Sequence, residues 1–199
     1  KQLMKKISLI CSLFAAMTFI GCKNDKKEVD PTINTEESVQ EEKEVQQQEI
    51  KTLSVTMEPK SNSSAQGEVF FSEANGVVTL EAKFSGLTPG THAIHLHEKA
   101  DCSAADGTSA GGHWNPTHSK HGKWGDQAGY HKGDIGNFEV DQEGSGKITM
   151  LTDQWCIGCG DEKKDILGKA VIVHEGADDF TTQPTGAAGG RIACGVLLS

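Results

Sequence analysis

The chain predicts an all-β domain, and three observations predict it. Short runs of alternating apolar and polar residues recur at close spacing, glycine is abundant at 23 residues, and long stretches of helical apolar periodicity are scarce. With 199 residues and 36% hydrophobic content there is material for one ordinary core plus tails, not for two domains. Only 5 prolines argue against a low-complexity chain.

Residues 1–22 read as lying outside that fold. Lys1, Lys5 and Lys6 precede an apolar run from Ile7 to Ile20 that is too short to span a bilayer comfortably, which is the pattern of an export signal. The run ends in Phe19-Ile20-Gly21-Cys22, which resembles a bacterial lipoprotein box with Phe19 where leucine is more usual. That resemblance implies Cys22 as the lipid-modified first residue of the mature chain; plain signal-peptidase cleavage is the alternative, and both take the protein out of the cytoplasm. Residues 23–50 carry 9 acids, 4 lysines and no aromatic residue, too little apolar surface to fold alone, and read as a disordered acidic tether. The folded domain is then 51–199. It holds 12 basic and 19 acidic side chains, a net of -7, so nucleic acid is excluded as an expected partner.

Within the domain the alternating runs Thr52–Met57, Gln66–Phe71 and Val77–Phe84 predict strands, ended by the turn Gly86-Leu87-Thr88-Pro89-Gly90. His92–His97 is a fourth. Ile135–Val140 and Lys147–Leu151 flank Asp141-Gln142-Glu143-Gly144-Ser145-Gly146 as a hairpin, and Ala170–His174 and Ile192–Leu198 complete eight. Two stretches break the spacing, Glu98–Asp134 and Glu175–Arg191, both long, glycine-rich and polar; loops of that length in a small domain are usually functional.

Histidine placement points to metal. His95-Leu96-His97 puts two imidazoles on one face of a strand, where they can share an ion. The loop that follows adds His113, His118, His121 and His131 with Asp134, and His174 ends a later strand. Packing alone does not account for that density; imidazole suits copper and zinc, and three nitrogens with one carboxylate suit tetrahedral zinc. Of 6 cysteines, Cys11 lies in the signal and Cys22 is the candidate anchor, leaving Cys102, Cys156, Cys159 and Cys194. An even number in an exported domain reads as disulfides, with three pairings open.

The blocks His95-x-His97-Glu98, Ser109-Ala110-Gly111-Gly112-His113-Trp114-Asn115-Pro116, Lys120-His121-Gly122, His131-x-Gly133-Asp134-Ile135-Gly136-Asn137, Val173-His174-Glu175 and Gly190-Arg191-Ile192-Ala193-Cys194-Gly195-Val196 resemble, in order, those of the copper/zinc superoxide dismutases, from about Leu53 to Leu198. The resemblance implies an eight-stranded Greek-key β-sandwich or flattened barrel. It implies one copper per subunit on His95, His97, His113 and His174, and one zinc on His113, His121, His131 and Asp134, with His113 bridging. It implies that Asp178 links a copper histidine to a zinc histidine, that Cys102 pairs with Cys194, and that Arg191 and His113 are catalytic, as anion guide and proton source. His92 matches a buried structural histidine and His118 has no counterpart. Trp114, Trp124 and Trp155 read as packing or loop anchors.

Cys156-Ile157-Gly158-Cys159 departs from the family pattern, and three readings stand: a second, local disulfide, a redox-active pair, or a soft-metal site. The implied activity is conversion of superoxide to O2 and hydrogen peroxide through copper(II)/copper(I) cycling, with structural zinc. The alternative is an envelope lipoprotein that buffers or delivers copper and zinc without turnover. The expected setting is the cell envelope, at the periplasmic face or cell surface, with membrane contact only through the anchor, as a monomer or homodimer.

Overall fold

The structure, a computed structural model, describes residues 49–199; the predicted signal with Cys22 and residues 23–48 of the predicted tether lie outside the described residues. Among the described residues eight strands form: β1 Lys51–Pro59, β2 Gln66–Ala74, β3 Val77–Ser85, β4 Gly90–His97, β5 Gly136–Val140, β6 Gly146–Thr152, β7 Ala170–His174 and β8 Arg191–Val196. They close into a barrel in the order β1-β2-β3-β6-β5-β4-β7-β8, every pair antiparallel. The connections from β3 to β4 and from β6 to β7 therefore cross between strands that are not neighbours, as a Greek-key order requires.

Alternation carries the core. Val55 and Met57 on β1, Val69 and Phe71 on β2, and Val78, Leu80, Ala82 and Phe84 on β3 are buried at every second position, as the pleat dictates. Each of these side chains, Ala82 excepted, contributes about 1.5–3 kcal/mol by leaving water. β4 and β7 differ, being buried on both faces. Ile94, Leu96, Val171 and Val173 join the barrel core, whereas Ala170 and Ile172 form a second small cluster with Ala110 and Cys194, against which Cys102 packs. The outer face of these strands is thus roofed by loop.

Strand ends differ from the alternation pattern where backbone bonds leave the ladder. Ile135 donates its N–H to the Gly133 carbonyl in a turn, so β5 starts one residue later, and Leu197 donates to the Lys169 carbonyl, which ends β8 at Val196. There is also a third long connection, residues 153–169, whose Trp155, Ile157 and Ile166 are buried in the main core. Its apolar residues do not alternate, so periodicity gives no sign that it closes the barrel.

Candidate metal centre

The first half of the site is built on the roofed face of β4 and β7. His95 and His97 alternate with Ile94 and Leu96 and so point away from the core; Ile94 lies opposite Val173, which brings His174 beside them. Between Val173 and His174 the register with β8 shifts, and His174 then faces Arg191. His113 arrives from the long loop by an isolated antiparallel bridge to His97. Gly133 makes that approach possible. Its N–H donates to the Trp114 carbonyl at 2.9 Å, its own carbonyl accepts from Leu96 N–H at 2.9 Å, and a Cβ there would lie 2.2 Å from the Leu96 oxygen.

Two clusters of buried ligand atoms result: His95, His97, His113 and His174, and His113, His121, His131 and Asp134, with the atoms of each set within 4.8 Å of one another. The His113 ring belongs to both. Its centroid is 4.0 Å from that of His95 and 5.0 Å from His97 on one side, and 5.4 Å from His121 and 5.6 Å from His131 on the other.

Six ring nitrogens are buried with no hydrogen-bond partner: His95 Nδ1, His97 Nε2, His113 Nε2, His174 Nε2, His121 Nδ1 and His131 Nδ1. Leaving a buried polar atom unsatisfied costs about 1–3 kcal/mol, so six would together consume a sum comparable to the stability of a whole domain, about 5–15 kcal/mol. Four converge in the first cluster and two in the second, where the His113 ring and the Asp134 carboxylate bring the possible ligands to four, a set that suits a metal ion in each cluster. His121 Nδ1 lies 3.0 Å and His131 Nδ1 3.2 Å from Asp134 carboxylate oxygens without hydrogen-bond alignment. Ligands about 2.0–2.1 Å from one tetrahedral zinc stand about 3.3 Å apart, so these separations suit a shared ion.

The opposite ring nitrogens of His95, His97, His121 and His174 are held. His95 Nε2 is 2.8 Å from Asp178 Oδ2 and His121 Nε2 is 2.9 Å from Asp178 Oδ1, so a single carboxylate orients one ring of each cluster. His97 Nδ1 is 2.9 Å from the Gly111 carbonyl and His174 Nδ1 3.3 Å from that of Gly189. Asp178 is itself set by Asn137, which donates to its carbonyl and accepts its N–H, both at 2.8 Å. Gln183 brackets His121 by accepting its N–H and donating to its carbonyl, both at 2.9 Å. Asn137 falls in a block that carries the family resemblance, but its role and the whole contribution of Gln183 are not readable in a single sequence, because their partners are mostly backbone atoms distant in the chain.

Burial lowers the pKa of His113 to about 4 and of His174 to about 3, and His97 well below its ordinary value. These rings stay neutral at physiological pH, the form that binds a metal. For His121 burial acts in the same direction, but Asp134 and Asp178 outweigh it and raise the pKa to about 9. Asp134 and Asp178 resist the upward push of burial through their histidine hydrogen bonds, which hold both well below the carboxylate range.

Arg191, half-buried, donates Nη1 to the Gly107 carbonyl and Nη2 to that of Gly111, each at 2.7 Å. The Gly111 oxygen thus touches both Arg191 and His97. Cys102 and Cys194 are joined, tying the loop to β8, and Cys156 is joined to Cys159. His92 is buried and bonded to the His174 and Thr88 carbonyls at 2.8 Å, while His118 is exposed. Trp114 and Trp155 are buried and Trp124 packs on the core.

Fold and site together define a β-barrel metalloprotein with two adjoining sites joined by one imidazole. The sequence model described as "Copper/zinc superoxide dismutase (SODC)" matches residues 65–197. A protein of Aquifex aeolicus (strain VF5) named "Superoxide dismutase [Cu-Zn] 1" is 36% identical over 155 residues, 75% of this chain and 89% of that protein. Among solved structures, a double mutant of a SOD-like protein from Bacillus subtilis superposes with TM-score 0.66 at 34% identity, over 73% of this chain and 97% of that one. The clock protein EA4 superposes with TM-score 0.63 at 35% identity, over 73% and 92%. The chain belongs to the copper/zinc superoxide dismutase family, and its cofactors are one copper and one zinc per subunit.

Proposed function

We propose that the protein disproportionates superoxide, with copper on His95, His97, His113 and His174, zinc on His113, His121, His131 and Asp134, and Arg191 guiding the anion. The single observation that supports this most strongly is the shared His113 ring, with an unpaired Nε2 turned to one cluster and Nδ1 2.8 Å from Asp134 in the other. Copper held by His95, His97, His113 and His174 would supply the one-electron chemistry, having two accessible oxidation states where zinc has one. Two superoxide anions and two protons give one O2 and one hydrogen peroxide.

The chain's own groups do the remainder. Arg191, fixed by two carbonyls on the loop that carries His113, presents a permanent positive charge beside His97 and can hold a small anion through its remaining N–H groups. The Nε2 atom of His113 is a position at which a proton can be held for the reduction half. Asp178 keeps the rings of both clusters oriented, and the Cys102–Cys194 disulfide ties the guanidinium's loop to the barrel. The two disulfides agree with export. The basic start, apolar run and Cys22 support tethering to the envelope by a lipid.

The deciding experiment uses metal-loaded protein with both metals quantified. One O2 and one peroxide should appear per two superoxide consumed, and His95→Ala should lose copper and activity while keeping zinc. Protein that holds both metals yet leaves superoxide to its spontaneous decay would instead be a carrier.

A further inference from the structure

The connection of residues 153–169 carries chemistry that superoxide turnover does not use. Cys156 is buried, Cys159 is exposed, and their sulfurs lie with a carboxylate oxygen of half-buried Asp165 within 4.8 Å of one another. C-x2-C is a metal-ligand spacing, and two thiolates with a carboxylate form a donor set for zinc rather than for calcium or magnesium.

Backbone hydrogen bonds fix Cys156 and Asp165 in addition to the S–S bond. Gly158 and Gly160, at φ 64 and 74, turn the chain so that their N–H groups donate to Asp165 Oδ1 and Oδ2 at 2.9 and 2.8 Å, and Leu167 N–H donates to Oδ1 at 3.0 Å. Oδ2 keeps a free acceptor position. Cys156 N–H donates to the Lys164 carbonyl at 2.9 Å and its own carbonyl accepts from Ile166 at 3.1 Å, while Trp155, Ile157 and Ile166 are sunk in the core. Ile157 N–H also donates to Glu73 at 2.8 Å. A bond across a separation of 3 residues removes far less chain entropy than the Cys102–Cys194 bond across 92. As a staple it is nearly redundant, and with Cys159 on the surface it is open to thiol exchange.

We propose that Cys156 and Cys159 form a reversible disulfide/dithiol couple whose reduced state binds one zinc ion through both sulfurs and Asp165. The reductant is a small dithiol. Its thiolate attacks Cys159 Sγ, the S–S bond breaks, and Cys156 leaves as a thiolate. The second thiol of the reductant then attacks the mixed disulfide, closes its own ring disulfide and frees Cys159. Two electrons and two protons have passed to the protein, and zinc displaces the two protons on binding. The exposed loop becomes a reduction-gated zinc site outside the catalytic centre.

The test begins with metal-loaded protein treated with dithiothreitol and desalted without oxygen. Alkylation and peptide mass mapping should find Cys156 and Cys159 free while Cys102 and Cys194 remain joined. Added zinc should then raise the zinc content by one per chain in reduced protein and not in oxidised protein. Cys156→Ser/Cys159→Ser should keep its two resident metals and dismutase activity but take up no further zinc; should it fold poorly, alkylated reduced wild type must likewise take up none. Asp165→Asn should weaken the added ion by about tenfold or more. Absence of the extra zinc, equal uptake by the serine or alkylated protein, or earlier opening of Cys102–Cys194 would overturn the proposal.

Discussion

Arg191 and the buried histidines are the residues at which charge matters most. Arg191 spends two N–H groups on the Gly107 and Gly111 carbonyls and has three left. Losing a well-placed cationic donor beside a reacting anion costs about 1.5–3 kcal/mol, roughly ten- to a hundredfold in rate. Arg191→Ile should therefore keep both metals and lose that factor in superoxide turnover, and Arg191→Lys should lose less, since it keeps the charge without the planar fork. Full activity in the isoleucine variant would remove Arg191 from the mechanism. The histidines fix the pH response of chelator-stripped protein. His113 and His174 titrate near 4 and 3 when folded but near about 6.5 when unfolded, so the unfolded chain takes up protons first and their stabilisation falls as pH drops below about 6.5. His121, raised to about 9, contributes stability that is complete below about 6.5 and lost as pH rises through 9. Melting temperature scanned from pH 4 to 9 should peak near neutrality; a steady rise to pH 9 would contradict the His121 environment.

Among the elements, the loop of residues 175–190 acts as the clamp over both clusters. Gly186 sits at φ 67, and a Cβ there would lie 1.8 Å from Asp178 Oδ1 and 2.6 Å from His121 Nε2. Only glycine lets the chain pass over that carboxylate. Gly186→Ala must push Asp178 off the two imidazoles it orients, and groups that orient ligands are worth about ten- to a hundredfold in metal affinity. Competition with a zinc chelator should show weakened zinc retention of that order, with Asp178→Asn weaker in the same direction. Unchanged retention in both would mean that the clamp does not position the ligands.

At the scale of the molecule, a net of -7 on residues 51–199 opposes an anionic substrate, so the proposed reading needs a local attraction, for which Arg191 is the candidate source. Screening shortens the reach of both fields, with a Debye length of about 10 Å at 0.1 M and about 3 Å at 1 M salt. If the local field dominates capture, turnover should fall as salt rises and fall less steeply in Arg191→Ile. Turnover that rises with salt in the wild type would show global repulsion to be the larger effect.

Sequence alone determined the strands of β1 to β3, because alternation is a local property that a pleated ribbon converts directly into an inside and an outside. It also determined the metal chemistry: imidazoles at His95, His97, His113, His121, His131 and His174 with Asp134 are a donor inventory whatever the fold, and their order along the chain carries the family resemblance. What the sequence left open was which atoms meet. That β4 and β7 present His95, His97 and His174 to a loop rather than to water depends on antiparallel register and on the Cys102–Cys194 tie. What Asn137, Gln183, Gly133 and Gly186 do around the two clusters depends on contacts with backbone and side chains up to 65 residues away, as for Gly186 and His121. The connection of residues 153–169 closes the core with apolar side chains in no period. Tertiary structure decided these points because hydrogen bonds to backbone, close approach at glycine and loop burial depend on distances in space, which the local pattern of side chains does not encode.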